Sequence, residues 1–302
     1  MMPGLLGIEA LSREEIEAIL TRAKDFQPLQ NHAFKRLDTL KGRMIVNLFF
    51  EASTRTRTSF EIAAKRLGAD AISISAAGSS VSKGESLVDT LNTLAAMRPN
   101  AIVMRHSASG APHFLSRYLP IPIINAGDGT HEHPTQALLD ARTILDYRQS
   151  LEDLRVAIIG DIAHSRVARS NIFLLSKFKA EIVLCGPPPL LPPELVEMAP
   201  GVRLTPNIRE AIRAVDVIMM LRVQLERQHE ACFPASEYFQ FYGLRLEHLE
   251  LAKPNAIVMH PGPINRGREI ASEVADSQSS VILNQVENGV AVRMAVLERI
   301  LG

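Results

Sequence analysis

Residues 44–67 read MIVNLFFEASTRTRTSFEIAAKRL. The opening run, MIVNLFF, is apolar except for Asn47 and too short for a core helix. Such a run reads as a strand covered on both faces, the pattern of a parallel sheet. It ends in a cluster of Ser, Thr and Arg, after which Phe60, Ala63, Ala64 and Leu67 recur at helical spacing. A buried strand that passes through a short polar turn into an amphipathic helix is half of a βαβ unit. The fold class is therefore α/β.

The same alternation recurs on either side. Short β-branched runs fall at 71–75 (AISIS), 101–105 (AIVMR), 122–125 (PIIN), 155–160 (RVAIIG), 181–185 (EIVLC), 217–221 (VIMML) and 256–260 (AIVMH). Helix-like stretches at 87–97, 134–147, 166–179 and 208–215 separate them. With 302 residues there is chain enough for two domains, each a parallel β-sheet flanked by helices. The boundary falls near the helix 134–147, since RVAIIGD then opens a second set of strands. The segment 285–301 reads as one more helix, able to pack against either domain.

Lys plus Arg and Asp plus Glu both number 33, so the net charge is zero, and a polyanion such as nucleic acid is not an expected partner. Positive charge for any anionic ligand must be local. The start, MMPGLLGIEALSREE, has no basic region followed by a long apolar run, and no stretch approaches the roughly 20 apolar residues of a membrane helix. Cys185 and Cys232 lack CxxC or zinc-ligand spacing. The expectation is a cytoplasmic enzyme without membrane contact.

In open α/β sheets, ligands bind beyond the carboxyl ends of the strands. The unusual polar residues fall there. Ser53, Thr54, Arg55, Thr56 and Arg57 stand between a strand and a helix, where unpaired N–H groups, hydroxyls and guanidinium forks together suit a phosphate; the alternative is a Ser/Thr cap with solvated arginines. Lys83, in the loop SSVSKGE, could supply a mobile cation or simply face solvent. Arg105 closes the strand AIVMR and either faces the ligand crevice or caps the sheet through an ion pair. In HEHPTQ, Pro134 suits a first helical position, which places His133 at a helix start, where the dipole favours a neutral, hydrogen-bond-donating imidazole. His131 and His133 have no third ligand motif nearby, so neither a metal nor any cofactor is expected.

After RVAIIG, the loop GDIAHSR lacks the GxGxxG fingerprint, which disfavours a nucleotide-dependent oxidoreductase. Arg166 opens the next helix and can meet a carboxylate. Past VIMML, alternation places Arg222 and Gln224 on one face, while Glu226 and Arg227 are candidates for loop salt bridges. In HPGPINRG, two prolines around Gly262 specify a tight turn whose carbonyls could accept from an NH₂ group, and a cis X-Pro bond suits it.

FFEASTRTRTSFE, SKGESLVDT, MRH, NAGDGTHEHPTQALLD, RVQLER and HPGPINRG, in this order from about Leu5 onward, resemble the aspartate/ornithine carbamoyltransferase family. STRTR and HPTQ are common to the family; the SKGE loop and RVQLER point to its aspartate branch, and the DxxxSMG loop and HCLP turn of the ornithine branch are missing. The resemblance implies that residues 1–140 bind carbamoyl phosphate, with the helix 286–302 packing back on them. Residues 141–285 would bind L-aspartate, and two interdomain helices would join the parts. It implies that Ser53, Thr54, Arg55 and Thr56 hold the phosphate, that Arg105, His133 and Thr56 contact the carbonyl oxygen, and that Gln136 with the Gly262–Pro263 turn orients the carbamoyl amide. Arg55, Thr56, Lys83, Arg105 and His133 would be the catalytic set.

Lys83, Arg166, Arg222 and Gln224 would bind aspartate, with Ser80 and Lys83 reaching in from a neighbouring subunit of a homotrimer. Regulatory chains or a dihydroorotase-like protein could join that trimer. Glu51 would pair with Arg166 and Arg227 on closure. The implied reaction is an early step of pyrimidine synthesis, needing neither metal nor covalent intermediate. Two departures stand out: the SKGE loop is one residue shorter than in some members, and the turn is Pro-Gly-Pro rather than Pro-Leu-Pro. An ornithine or other amine-specific transferase and a catalytically silent scaffold are the rival readings.

Overall fold

The computed structural model describes residues 4–30, 36–75, 86–223 and 235–302. It divides into two compact units, Met1–Arg142 with Glu287–Gly302, and Thr143–Val286.

The first unit contains β1 (Gly4–Leu5), α1 (Arg13–Phe26), β2 (Met44–Phe49), α2 (Thr54–Arg66), β3 (Asp70–Ser75), α3 (Leu87–Ala96), β4 (Ala101–His106), α4 (Ala111–Ser116), β5 (Ile123–Asp128) and most of α5 (Pro134–Tyr147). Its strands form one parallel sheet in the order β1-β5-β4-β2-β3. β5 is buried along its whole length and β2 nearly so, as the continuous apolar runs require, while the edge strand β3 is largely exposed. Leu48, Leu91, Ile102, Met104 and Leu115 form part of the core. Burying each such side chain contributes about 1.5–3 kcal/mol.

The second unit contains β6 (Arg155–Ile159), α6 (Arg166–Ser176), β7 (Glu181–Cys185), β8 (Val202–Thr205), α7 (Ile208–Ile212), β9 (Val217–Met220), α8 (Ala235–Tyr242), α9 (Leu246–Leu249), β10 (Ile257–Met259), α10 (Ser272–Ala275) and the start of α11 (Ile282–Leu301). Its parallel sheet runs β10-β9-β6-β7-β8. Gly160 ends β6 at φ +143°, and a Cβ there would lie 2.8 Å from Leu221 Cβ, so only glycine permits this approach to the chain leaving β9. The unit division falls inside α5 and inside α11, so two helices run from one unit into the other.

Capping chemistry sets the helix starts. Ser12 Oγ accepts from Glu15 N–H while the Glu15 carboxylate accepts from Ser12 N–H, a capping box that begins α1. The C-terminal part of α11 is tied to α1 by Arg299–Glu15 at 2.7 Å and Arg22–Glu298 at 2.5 Å. Differences from the periodicity reading are local. β1 is two residues long and β8 is a short edge strand, both below the length at which alternation is readable. α2 begins at Thr54, so the STRTR residues after Ser53 form its first turn rather than a link between strand and helix. Among the described residues no helix is long and apolar enough to cross a membrane.

Candidate active site

In the first unit the anion-binding candidates converge at the carboxyl ends of β2, β4 and β5. Ser53 is the N-cap of α2 in an extended conformation (φ −160°, ψ 93°), yet its side chain makes no capping hydrogen bond. The first turn has no acidic residue, so no carboxylate of that turn competes with an anion for its N–H groups. Thr56 is buried, Ser53 half-buried, and Thr54 and Arg55 exposed. Parallel register sets Phe49 opposite Arg105, and Phe50 N–H donates to Arg105 C=O at 2.9 Å, which brings Arg105 beside this turn. The Arg105 guanidinium donates to Glu51 Oε1 at 2.7 Å and to Ala126 C=O on β5 at 3.3 Å.

His133, buried, precedes Pro134, and its carbonyl accepts from Gln136 N–H at 2.9 Å, which makes it the cap of α5. Gln136 donates through Nε2 to Asp140 at 2.9 Å. Behind His133 lies a support that the periodicity reading missed. Asp128 is fully buried; its Oδ1 accepts from Asn125 Nδ2 and Glu132 N–H, and its Oδ2 from Gly110 N–H and the His131 ring. Glu132, also buried, accepts from Ile8 N–H at 2.8 Å and from Glu9 N–H at 3.3 Å, pinning the N-terminal segment to the turn. The only available signal was an Asp and a Glu four residues apart between a strand and a helix.

Among the described residues, His113, Asp128 and His131 form a group with metal-ligand atoms close together. The structure thus brings His131 two neighbours that sequence spacing did not reveal. Each Asp128 oxygen already accepts two hydrogen bonds, with His131 among the donors, while His113 meets the His131 ring edge-on with centroids 5.2 Å apart.

The hydrogen bond to Asp128 raises the His131 pKa against the opposing effect of burial. Burial pushes Asp128 upward, but the hydrogen bonds from His131, Asn125 and Gly110 outweigh it and hold the carboxyl below its usual range. A histidine with a raised folded-state pKa stabilises fully below its unfolded value of about 6.5, and that contribution is lost as pH rises through the folded value. Asp128 contributes above its unfolded value of about 3.9 and loses this as pH falls through its lowered one. The difference in urea midpoint between the wild type and His131→Gln is therefore expected to shrink as pH is raised from 6.5. A pH-independent difference would refute this coupling.

In the second unit, three candidates stand at the ends of the adjacent strands β10, β9 and β6. Arg166 is the first residue of α6, buried, behind an N-cap Ser165 whose Oγ accepts from Ala168 N–H at 3.1 Å. Arg222, half-buried, lies two residues past β9, whose register sets Met220 opposite Ile159 on β6. The Gly262–Pro263 bond is cis, within the turn that follows β10. Ser80, Lys83, Gln224, Glu226, Arg227 and Cys232 lie outside the described residues. Cys185 is buried, which pushes its thiol up to about 12 and leaves it unreactive.

Two parallel sheets thus carry cationic groups at their carboxyl ends, the place where an α/β protein binds small anionic ligands. Residues 4–146 match the family model "Aspartate/ornithine carbamoyltransferase, carbamoyl-P binding domain", and residues 152–300 match "Aspartate/ornithine carbamoyltransferase, Asp/Orn binding domain". The chain belongs to this family. It is 81% identical, over the full length of both chains, to an aspartate carbamoyltransferase catalytic subunit of Solibacter usitatus. Among solved structures it is similar to the aspartate transcarbamoylase of Trypanosoma cruzi in complex with N-(phosphonacetyl)-L-aspartic acid, at 32% identity and TM-score 0.88, covering 99% of this chain and 96% of that one. It is also similar to the ornithine carbamoyltransferase of Pyrococcus furiosus, at 30% identity and TM-score 0.88, covering 99% and 97%. Backbone similarity is equal for the two branches, so the fold does not distinguish the acceptors.

Proposed function

We propose that the chain transfers the carbamoyl group of carbamoyl phosphate to the amine of L-aspartate, giving N-carbamoyl-L-aspartate and phosphate, an early step of pyrimidine synthesis. The observation that carries the acceptor is the pair Arg166 and Arg222 at the ends of neighbouring strands. Two guanidiniums match the two carboxylates of aspartate, whereas ornithine offers one carboxylate and a second ammonium that they would repel. The 81% identical catalytic subunit supports the same choice.

In this reading the first unit takes carbamoyl phosphate. The α2 N-terminus, with Ser53, Thr54, Arg55 and Thr56, receives the phosphate, and Arg105, His133 and Thr56 face the carbonyl oxygen. Gln136 and the carbonyls of the Gly262–Pro263 turn orient the amide. The second unit takes aspartate through Arg166, Arg222 and Gln224, with Lys83. The amine nitrogen attacks the carbonyl carbon, the C–N bond forms, negative charge builds on the carbonyl oxygen, and the C–O bond to phosphate breaks. The protein acts by positioning and by charge stabilisation. Because Arg105 is bound to Glu51, the arriving anion must share or displace that carboxylate.

The reading includes a homotrimer in which Ser80 and Lys83 serve a neighbouring subunit, a cytoplasmic location, and possible docking of regulatory or dihydroorotase-like chains. The SKGE motif supports the trimer, and sedimentation of the purified protein measures it.

The test is product formation with L-aspartate and with L-ornithine as acceptors. Activity with aspartate alone is expected; activity with ornithine alone would overturn the acceptor assignment. Arg166→Ala is expected to raise the KM for aspartate about tenfold or more, the loss of one charge-assisted contact, and to change that for carbamoyl phosphate far less.

A further inference from the structure

We propose that His260 and Glu269 are a positioning pair for the reaction, clamping the 261–264 turn so that its backbone carbonyls meet the carbamoyl amide; this rests on the carbamoyl-transfer reading above. Both side chains are wholly buried, while Pro263 at the tip of the turn is exposed. The turn is thus held from beneath and left open where a small ligand would meet it.

The clamp closes across the turn. His260 lies directly after β10, and its N–H donates to Gln285 Oε1 at 2.8 Å, which fixes the start. Gly262 N–H donates to His260 Nδ1 at 2.8 Å. Nδ1 therefore carries no proton, and the ring proton sits on Nε2, 3.2 Å from Glu269 Oε1. The same carboxylate accepts from Asn265 N–H at 2.5 Å and from Asn265 Nδ2 at 3.3 Å. Residues 260 and 265, which bracket the turn, are thereby tied to one anion.

Glu269 itself is anchored by its backbone. Leu244 N–H donates to its carbonyl at 3.0 Å, and Ala271 N–H returns a bond to Leu244 C=O at 2.9 Å. A carboxylate buried this deeply is costly unless donors surround it. An apolar pair would fill the same space without that cost, but it could not bind both shoulders of a turn. What the pair adds is geometry, held at the backbone that the reaction is proposed to use.

Steady-state kinetics of Glu269→Ala, Glu269→Gln and His260→Asn test this. Glu269→Ala removes the anchor and is expected to raise the KM for carbamoyl phosphate at least tenfold while moving that for aspartate less than twofold. Glu269→Gln keeps an acceptor oxygen and is expected to recover most of the loss. His260→Asn keeps an acceptor for Gly262 N–H, as Asn does in Asx turns, but cannot reach Glu269, and is expected to fall between them. Unchanged KM for carbamoyl phosphate in all three, or equal shifts for both substrates, would overturn the pair as a positioning device.

¹⁵N spectra of histidine-labelled wild-type protein read the tautomer whatever the variants do. An unprotonated Nδ1 at His260 supports the clamp, and a protonated one refutes it. Wild-type protein that forms no carbamoyl aspartate would sink the carbamoyl-transfer reading itself; active wild type with indifferent variants sinks the clamp alone.

Discussion

Replacing Arg105 by alanine is expected to lower the turnover of carbamoyl-aspartate formation by about 10²–10³-fold, the range for removing one preorganised donor to a developing oxyanion. The side chain lies at the end of β4, mostly buried between the ends of β2 and β5, where its two terminal nitrogens hold Glu51 and Ala126 C=O. Its register with Phe49 sets it beside the α2 N-terminus, so a phosphate bound there would lie within its reach. Arg105→Lys is expected to recover little, because a point charge cannot contact a carboxylate and a planar substrate at once as a guanidinium fork can. Removing the arginine also takes the guanidinium away from the Glu51 carboxylate, so an incoming anion meets that negative charge less screened, which adds repulsion to the lost attraction. Single-turnover phosphate release measures the effect, and near wild-type turnover in Arg105→Ala would rule out the oxyanion role.

The second large effect concerns stability. Glu132→Ala is expected to cost about 3 kcal/mol of unfolding free energy, read as a lowered urea midpoint at unchanged slope. The buried carboxylate accepts from Ile8 and Glu9 N–H, and its loss strands the buried Ile8 N–H away from water. Hydrogen bonds to a charged acceptor contribute about 1.5–3 kcal/mol each, and relaxation of the N-terminal segment recovers part of that sum. Gly7→Ala should mimic the defect, since a Cβ there would lie 2.2 Å from Glu132 Oε1. Activity should fall as well, because Glu132 and Asp128 build the turn that carries His133. A Glu132→Ala protein with wild-type midpoint would show that the segment finds other acceptors at little cost.

The element pattern was readable because the strands β2, β4, β6, β7, β9 and β10 are buried on both faces, and burial of that kind demands unbroken apolar runs. β1 and β8 escaped because two to four residues at a sheet edge carry no such demand. The candidate anion groups were legible for a related reason: polar residues placed directly after a buried strand have no structural need to be Arg or His. Their supports were not legible. Asp128, Glu132 and Glu269 look in the sequence like ordinary loop acids, and nothing local marks them as buried.

The sequence by itself determined the α/β class, the two-sheet organisation, the position of STRTR, Arg105, His133, Arg166 and Arg222 at strand ends, and the family. The family follows from the resemblance of its motifs, and the rest from local periodicity, which burial imposes residue by residue. Tertiary structure alone decided the strand orders β1-β5-β4-β2-β3 and β10-β9-β6-β7-β8, the pairing of Arg105 with Glu51, and the burial of Asp128, Glu132, His260 and Glu269. The physical reason is that a buried charge is stable only where donors from distant parts of the chain converge on it. That convergence depends on how strands are ordered in the sheet, which no local pattern encodes.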